Sequence, residues 1–323
     1  MDLTGRRLGF GTANGANPNS PSPELGAEQV AAAVRAALAD AGCRPDQVAQ
    51  GVLGLAGASR LADKAVALLY DTAWHSLGLR CAPRIVTDYE VAFAAGTAEP
   101  SGTVLVAGTG SVAARIVDHR QVAIAGGYGW LLGDEGSAFW LGRQAVRGTL
   151  DMLRTGAALG PLARSVLAEA LSPQGEPPST PASRHSIAAH LITAATGAPP
   201  IGLARLAPLV SAAFCEGDPL AEQIVEDAVD CLVRTVRAVR SPDEQTPIVM
   251  IGSLVSADVP LGERLRRSLG EAFGGAVERA SDGAAGAAWL AALDQLGSAA
   301  ERLRAPLFTS VADQRRSAVV VDT

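Results

Sequence analysis

Aromatic residues are scarce in this sequence, at 4% of 323 residues, and Lys64 is the only lysine among many arginines. No apolar run approaches the roughly eighteen residues that a membrane-spanning helix needs. The opening, MDLTGRRLGF, lacks the apolar core of a secretory signal peptide. We therefore expect a cytoplasmic protein that has no membrane partner.

Cysteine pairs of the metal-binding kind are also lacking. The four cysteines stand at 43, 81, 215 and 231, so none forms a C-x-x-C pair, and no His/Cys cluster has zinc spacing. We expect reduced thiols and assign no metal-ligating residue. The net charge of −6 is not that of a nucleic-acid-binding protein. The length allows two domains with a sizeable core.

Strand and helix patterns alternate in the first third of the chain, which predicts an α/β fold. The predicted elements there are a strand–turn–strand at 3–12, helices at 24–41, 61–77 and 88–96, and strands at 50–56 and 84–87.

Three further strands precede a mainly helical second half. The strands are predicted at 103–107, 112–117 and 121–125, the helices at 137–158, 160–171, 186–195, 202–216 and 218–240, and a last strand and helix at 248–251 and 281–293. Asp218 is a predicted N-cap with Pro219 at the first helical position. Residues 172–184 are a predicted surface loop, and the last twenty or so residues show no clear organisation.

The segment GGYGWLLGDEGSAFW, at 126–140, combines glycines, aromatics and two adjacent acids. Glycines let a backbone approach a ligand closely, aromatic rings form an apolar wall, and a carboxylate accepts hydrogen bonds from hydroxyls. This mixture suits a pocket for a small polyhydroxylated molecule. The structural alternative is a glycine-rich loop in which Asp134 caps a helix that starts near Gly136.

Four other segments allow both a functional and a structural interpretation. The GTGS turn at 108–111 suits phosphate oxygens, although glycine and serine also suit an ordinary hairpin turn. Asp88 follows a strand where a helix begins, so it is either a catalytic base or an N-cap. GSLVS at 252–256 and SDGAAGA at 281–287 allow close approach of a ring or phosphate chain, or tight packing of helix on strand.

The order of these motifs is more specific than any one of them. A strand ending at Asp88, then GTGS, GGYGWLLGDEGSA, a strand followed by GS, and GAAGA together resemble the N-acetylglucosamine kinase and BadF/BadG/BcrA/BcrD-type ATPase family of the sugar kinase–Hsp70–actin superfamily. The resemblance covers about residues 5–295. It implies a two-domain actin-like (ribonuclease H-like) α/β fold.

The resemblance also implies a role for each matching position. Asp88 would take the proton of the sugar 6-hydroxyl, and Mg²⁺–ATP would be the phosphoryl donor. The implied sugar-binding residues are Asn17, Gly127, Tyr128, Asp134 and Ala138. The implied nucleotide-binding residues are Thr109, Gly110, Ser111, Gly252, Ser253, Gly283 and Gly286. Tyr128 replaces the usual tryptophan of the family, which leaves the sugar preference open.

The domain prediction places a small α/β domain at 1–98 and a large one at 99–323, with the tail from about 297 unassigned. The helix after Gly286 is expected to pack back toward the small domain. The family's opening D-G-G-G-T-x-T phosphate-binding hairpin has no counterpart here. We therefore expect the small domain to lack its first strand and the chain as given to be impaired. A homodimer is expected by resemblance alone.

Three functions follow from these expectations. The first is ATP-dependent phosphorylation of an amino sugar, most simply N-acetylglucosamine to its 6-phosphate. The second is an ATPase that activates a partner enzyme, although no cysteine lies near the glycine motifs as the iron–sulfur cluster of that branch would require. The third is a sugar-binding protein without catalysis.

Overall fold

The computed structural model describes residues 1–19, 22–171, 180–256, 258–280 and 282–309. The strands are β1 (Gly51–Leu55), β2 (Pro83–Thr87), β3 (Gly102–Ala107), β4 (Ser111–Val117), β5 (Arg120–Gly126), β6 (Ile248–Ile251) and β7 (Val277–Arg279). The helices are α1 (Pro23–Ala41), α2 (Lys64–His75), α3 (Asp88–Gly96), α4 (Gly129–Leu132), α5 (Ala138–Thr155), α6 (Pro161–Leu171), α7 (Pro181–Thr196), α8 (Ala207–Cys215), α9 (Pro219–Arg237), α10 (Pro260–Phe273) and α11 (Gly283–Leu296).

The chain divides into two compact units. Unit 1 contains residues 1–100, 116–121 and 280–323, and unit 2 contains residues 101–115 and 122–279. The first boundary lies two residues from the predicted one. The assignment of everything after 98 to one domain needs correction, because the chain returns to unit 1 at 280. The helix after Gly286 was expected to pack back toward the small domain, and it lies in unit 1.

Unit 1 is built on the parallel pair β1–β2, whose register runs from Gly51 opposite Pro83 to Leu55 opposite Thr87. Glycines in β1 allow helices to approach both faces of this pair. A Cβ at Gly51 would lie 2.6 Å from the ring of Trp74 in α2, and one at Gly54 would lie 2.6 Å from Val91 in α3. The pair is thus packed between helices, as its apolar sequence predicted.

The predicted strand–turn–strand at 3–12 is wrong. The turn exists, because the Asp2 carboxylate accepts the amide hydrogens of Thr4 and Arg6, but residues 6–13 form no strand. Their backbone instead lies against α1, where a Cβ at Gly11 would be 2.2 Å from the carbonyl oxygen of Ala33. Glycine therefore serves close approach to a helix here rather than strand pairing.

The end of the chain is more ordered than its sequence indicated. Residues 297–300 form a short 3-10 turn, and residues 301–309 are helical. Trp289 of α11 is fully buried, and its indole N–H donates to the carbonyl oxygen of Ala300 at 3.3 Å. Leu303 and Leu307 are also buried. The tail from 297 to 309 therefore belongs to the core of unit 1, and the remainder lies outside the described residues.

Unit 2 contains a five-stranded sheet in the order β5-β4-β3-β6-β7. Strands β3, β6 and β7 are parallel, with Thr103 opposite Ile248 and Ile248 opposite Val277. Only residues 108–110 join β3 to β4, so these two strands run antiparallel, since a parallel pair needs a long crossover. Helices α5, α8, α9 and α10 contribute most of the large buried cluster of this unit.

The predicted helices of the second half are confirmed, with small differences at their ends. Asp218 caps α9 as predicted, because its carboxylate accepts the amide hydrogens of Leu220 and Ala221. The predicted helix at 202–216 is a 3-10 turn at Pro200–Leu206 followed by α8. Part of the predicted loop at 172–184 is helical, since α7 starts at Pro181, while 172–179 lie outside the described residues. Helix α10 and strand β7 were not predicted.

In the described ranges, no single helix combines the length and apolar character needed to cross a membrane. One pair, Pro181–Thr196 with Pro200–Cys215, meets these requirements only when its two parts, which are bent by 114°, are taken together.

Candidate functional site

Asp88 lies at the carboxyl edge of the β1–β2 pair in unit 1. Because Leu55 is opposite Thr87 in the register, the residues that follow β1 and β2 leave the sheet side by side. Carboxyl ends of parallel strands are where ligands gather in α/β proteins. The position predicted for the catalytic base is therefore a position at which α/β proteins bind ligands.

The structure excludes one of the two interpretations of Asp88, that of the N-cap. The N-cap of α3 is Thr87, whose hydroxyl accepts the amide hydrogen of Glu90 at 3.3 Å. The Glu90 carboxylate in turn accepts the amide hydrogen of Thr87 at 2.8 Å. This reciprocal pair is a capping box, and it leaves the Asp88 carboxylate at the first helical position without the capping role.

Burial raises the pKa of Asp88 above its ordinary value, because a half-buried carboxylate loses part of its hydration. Hydrogen bonds from its own amide and that of Tyr89 act in the opposite direction and are smaller. A raised pKa makes the ionised carboxylate a stronger proton acceptor. Asp88 thus combines position and basicity of the kind that proton transfer requires.

Asn17 and Asn19 lie against Gly57, the glycine that follows β1. A Cβ at Gly57 would lie 2.4 Å from the side-chain nitrogen of Asn19 and 2.6 Å from the side-chain oxygen of Asn17. The Asn17 oxygen accepts the amide hydrogen of Asn19 at 2.8 Å, which fixes the side chain in a turn. Both asparagines are exposed. Asn17, the predicted sugar contact, therefore lies at the same edge of unit 1 as Asp88.

In unit 2, two of the predicted nucleotide-binding turns lie side by side. The turn at 108–110 follows β3, and Gly252 and Ser253 follow β6, which is the parallel neighbour of β3. Gly252 has φ of 121°, and a Cβ there would lie 2.2 Å from the carbonyl oxygen of Ala107. Only glycine allows this approach. The structure thus brings Thr109 and Gly110 close to Gly252 and Ser253.

Hydrogen bonds tie the 108–111 turn to the segment that contains Asp134. The Ser111 amide donates to Asp134 Oδ1 at 3.1 Å, and the Ser111 hydroxyl donates to the carbonyl oxygen of Glu135 at 2.8 Å. The amides of Ala138 and Phe139 donate to the carbonyl oxygens of Gly108 and Thr109 at 2.8 and 3.3 Å. The amide and the hydroxyl of Ser111 are therefore both used in structural hydrogen bonds, and its phosphate contact stays a prediction.

The alternative in which Asp134 caps the following helix is not the observed arrangement. Ser137 is the N-cap of α5, because its hydroxyl accepts the amide hydrogen of Trp140 at 3.2 Å. Asp134 has φ of 60° and only 6% of its surface exposed. It is a buried carboxylate in the left-handed region, which few residues other than glycine adopt.

The residues before Asp134 form an exposed apolar surface. The Gly127 amide donates to the carbonyl oxygen of Ser111 at 3.0 Å, which fixes the start of the segment at the same turn. Tyr128 is 66% exposed, and Leu131 and Leu132 are more exposed still. The predicted aromatic wall is therefore accessible, whereas Ala138, predicted near the acetamido group, is buried.

The last predicted nucleotide motif lies in unit 1. Gly286 is a packing residue, because a Cβ there would lie 2.2 Å from the carbonyl oxygen of Val91 and 2.9 Å from the amide nitrogen of Ala95. Gly283, at the start of α11, has space around it, with Val91 at 3.9 Å. The structure thus gives Gly286 the structural role that the sequence left open, and Gly283 stays a predicted contact.

The sequence did not lead us to predict the capping box of α3 or the contact of Asn19 with Gly57, although a sequence pattern is present for each. TDYE at 87–90 fits the S/T-x-x-E pattern of a capping box, and NPN at 17–19 fits an asparagine turn. Glu90 also accepts the amide hydrogen of Gln121 at 2.9 Å, a contact that no local pattern indicates.

No group of three or more His, Cys, Asp or Glu side chains in the described ranges could hold a metal ion. Magnesium usually keeps several waters and binds through substrate phosphates with one or two carboxylates. The described residues therefore contain no cluster of side chains that would hold a metal ion by themselves.

Residues 1–291 match the family described as the BadF/BadG/BcrA/BcrD ATPase family. The chain belongs to this ATPase family.

A curated relative is the N-acetylmuramic acid/N-acetylglucosamine kinase of Clostridium acetobutylicum. It is 34% identical over 98 residues, which are 30% of this chain and 31% of that protein. The match therefore spans under a third of the curated relative.

Two solved structures share the fold. One, a candidate N-acetylglucosamine kinase from Chromobacterium violaceum, has a TM-score of 0.64 at 23% identity, with 87% of this chain and 89% of that chain covered. Another, from Porphyromonas gingivalis and described in the same way, has a TM-score of 0.61 at 20% identity, with 88% and 91% covered. The fold is the actin-like α/β fold of sugar kinases.

Proposed function

We propose that this protein is an ATP-dependent amino-sugar kinase that converts N-acetylglucosamine to its 6-phosphate. The observation that carries the proposal is the Asp88 carboxylate, which directly follows β2, is not the N-cap of α3 and is made more basic by burial. Membership of an ATPase family supports the nucleotide, and the names of the relatives support the sugar.

In the proposed reaction, Asp88 accepts the proton of the sugar 6-hydroxyl as its oxygen attacks the γ-phosphorus of ATP. The bond from the γ-phosphorus to the β,γ-bridging oxygen breaks, and ADP leaves. Phosphoryl transfer needs positioning and neutralisation of charge more than covalent help from the protein. The Mg²⁺ that accompanies ATP supplies part of that neutralisation.

The remaining residues are proposed to position the two substrates. The amides of Thr109 and Gly110 suit phosphate oxygens, and Gly252 with Ser253 suits the nucleoside portion. Asn17, Gly127, Tyr128 and Asp134 suit sugar hydroxyls and the face of the ring. The side-chain amide oxygen of Asn17 and the two carboxylate oxygens of Asp134 are the kind of acceptor that a polyhydroxylated ligand requires.

The first test is ADP release from Mg²⁺–ATP with and without N-acetylglucosamine, followed by identification of the phosphorylated carbon. Sugar-dependent release with a 6-phosphate product supports the proposal. Hydrolysis at the same rate without sugar contradicts it and favours an ATPase that acts on a partner enzyme. Sugar binding without turnover favours a non-catalytic binding protein.

The second test is Asp88→Asn, which keeps the size of the side chain and removes the base. Loss of a general base lowers turnover by about 10²- to 10⁴-fold. Asp71→Asn, on the exposed face of α2, is the matched control and should leave turnover unchanged. An Asp88→Asn variant with near-normal turnover would remove Asp88 from the proposed role.

A further inference from the structure

The Asp134 side chain is placed against the backbone of the 108–111 turn. Its Oδ1 accepts the amide hydrogen of Ser111 at 3.1 Å. A Cβ on Gly110 would lie 2.8 Å from Asp134 Oδ1 and 3.0 Å from Oδ2. Both carboxylate oxygens therefore lie beside the turn, in a side chain that is almost fully buried.

The backbone carbonyl oxygens of this turn are hydrogen-bonded, whereas two of its backbone amides are not bonded to any described residue. The carbonyl oxygens of Gly108, Thr109 and Gly110 accept from Ala138, Phe139 and Gly108, respectively. The Ser111 amide donates to Asp134. In the part of the chain that the structure describes, the amides of Thr109 and Gly110 have no such acceptor. The turn thus keeps its carbonyl oxygens occupied and offers two N–H groups, which is what an anion requires.

The start of α5 cannot serve as the phosphate site in its place. The amides of Ala138 and Phe139 donate to the turn, and that of Trp140 donates to the Ser137 hydroxyl. These N–H groups would normally make a helix start attractive to phosphate. Here they are used to hold the turn, so the anion-binding capacity lies with Thr109 and Gly110.

The backbone at Asp134 indicates that its side chain has a specific use. A φ of 60° is uncommon for residues with a Cβ, although aspartate and asparagine adopt it more often than most, and glycine adopts it without strain. A carboxylate next to a phosphate site also repels the phosphate. Strain and repulsion are both tolerated where the side chain fixes a functional loop.

We propose that Asp134 is a positioning residue for the nucleotide phosphates, which orients the Thr109 and Gly110 amides by holding the amide of Ser111. The inference rests on the proposed use of ATP and deepens it. According to this inference, Asp134 contributes to nucleotide binding through the oxygen that accepts the Ser111 amide hydrogen. Its negative charge is unfavourable for nucleotide binding.

The test compares Asp134→Asn with Asp134→Gly in the full chain. Both variants are neutral and both accept the left-handed backbone, but only Asn keeps an acceptor for the Ser111 amide. The probe is the non-hydrolysable analogue AMPPNP with Mg²⁺, and its Kd is measured by calorimetry without sugar. We expect Asp134→Asn to bind at least as tightly as the wild type and Asp134→Gly to bind roughly tenfold more weakly than Asp134→Asn.

Three results would overturn the inference. Equal affinities of the Asn and Gly variants would show that the acceptor does not matter. Weaker binding by Asp134→Asn, by tenfold or more, would show that the charge is required, and this result does not depend on whether the Gly variant folds. A change in the Kd for N-acetylglucosamine with no change in the Kd for AMPPNP would confine Asp134 to the sugar contact proposed above. Nucleotide binding that persists without any sugar kinase activity would defeat the proposed function but leave this inference standing.

Discussion

The Glu90 carboxylate accepts the amide hydrogen of Thr87 at 2.8 Å, and the Thr87 hydroxyl accepts that of Glu90 at 3.3 Å. These two bonds close the first turn of α3 around the two residues that lie between Thr87 and Glu90, which are Asp88 and Tyr89. Thr87, and not the aspartate, is therefore the N-cap, and the Asp88 carboxylate at the first helical position accepts hydrogen bonds from its own amide and that of Tyr89.

The capping box predicts that loss of Thr87 lowers the stability of the protein more than its turnover. Thr87→Ala should lower the free energy of unfolding by about 1 kcal/mol, because the amide of Glu90 loses its acceptor. Turnover should fall much less than in Asp88→Asn, since Thr87 is proposed only to hold the helix end. Urea unfolding and steady-state kinetics on the same preparations check both parts. Equal losses of turnover in the two variants would show that Thr87 takes part in the reaction.

The raised pKa of Asp88 predicts the acidic limb of the pH–rate profile. Turnover requires the ionised carboxylate, so it should fall as the pH drops through an apparent pKa above 3.8, the ordinary value for aspartate. The measurement is kcat/KM against pH under saturating Mg²⁺–ATP. A limb at or below 3.8 would show that another group controls the rate.

The same shift predicts that Asp88 lowers stability at neutral pH. A group whose pKa is raised by folding favours the folded state below its unfolded pKa, and that contribution is lost as the pH rises through the folded value. Asp88→Asn should therefore be at least as stable as the wild type at pH 7, and its advantage should shrink toward pH 3.8. Thermal unfolding across this range measures the difference. A variant less stable than the wild type at pH 7 would contradict the prediction.

Substitution by alanine is predicted to have opposite effects on stability at two helical glycines, Gly286 and Gly270. Gly286→Ala places a Cβ against the carbonyl oxygen of Val91 and should cost about 1–3 kcal/mol through overpacking. A Cβ at Gly270 in α10 would meet no atom of a neighbouring segment within 4 Å. Gly270→Ala should therefore raise the free energy of unfolding by about 0.5–1 kcal/mol, because alanine has the better helix propensity. Thermal unfolding of the pair tests the contact of α11 with α3. If Gly286→Ala also gains stability, that contact is not the reason for glycine.

His119 predicts a loss of stability in mild acid. Its ring packs edge-on against buried Trp289, with centroids 5.4 Å apart. Burial lowers its pKa, Arg84 lowers it further, and Asp118 opposes both. Below the unfolded pKa of 6.5 the unfolded chain takes up a proton that the folded chain resists, so the free energy of unfolding should fall as the pH decreases.

The control for this prediction is His119→Asn, because asparagine tolerates the φ of 58° at this position. The variant should show a shallower dependence of unfolding free energy on pH between 6.5 and the lower pKa of the folded state. Identical slopes in the wild type and the variant would assign the acid sensitivity to other groups.

The local pattern of the sequence was sufficient for most elements and for the chemistry of the main motifs. Helix α9 with its Asp218 cap, the buried strand β6 and the start of α3 all follow from periodicity and end signals within a few residues. The order of the glycine and acidic motifs was sufficient to indicate the family. These features depend on neighbours in sequence, so the sequence alone determines them.

Tertiary structure decided which residue performs each role. Both aspartates that the sequence left between capping and function, Asp88 and Asp134, lost the capping role to the adjacent Thr87 and nearby Ser137. Gly11 and Gly286 face helices, and Asp134 faces Ser111, which is 23 residues away. The return of the helix after Gly286 was expected from the family resemblance, whereas the place of residues 297–309 in unit 1 depends on packing of the same kind. Such choices are set by hydrogen bonds and steric contacts between distant segments, and a one-dimensional pattern contains neither.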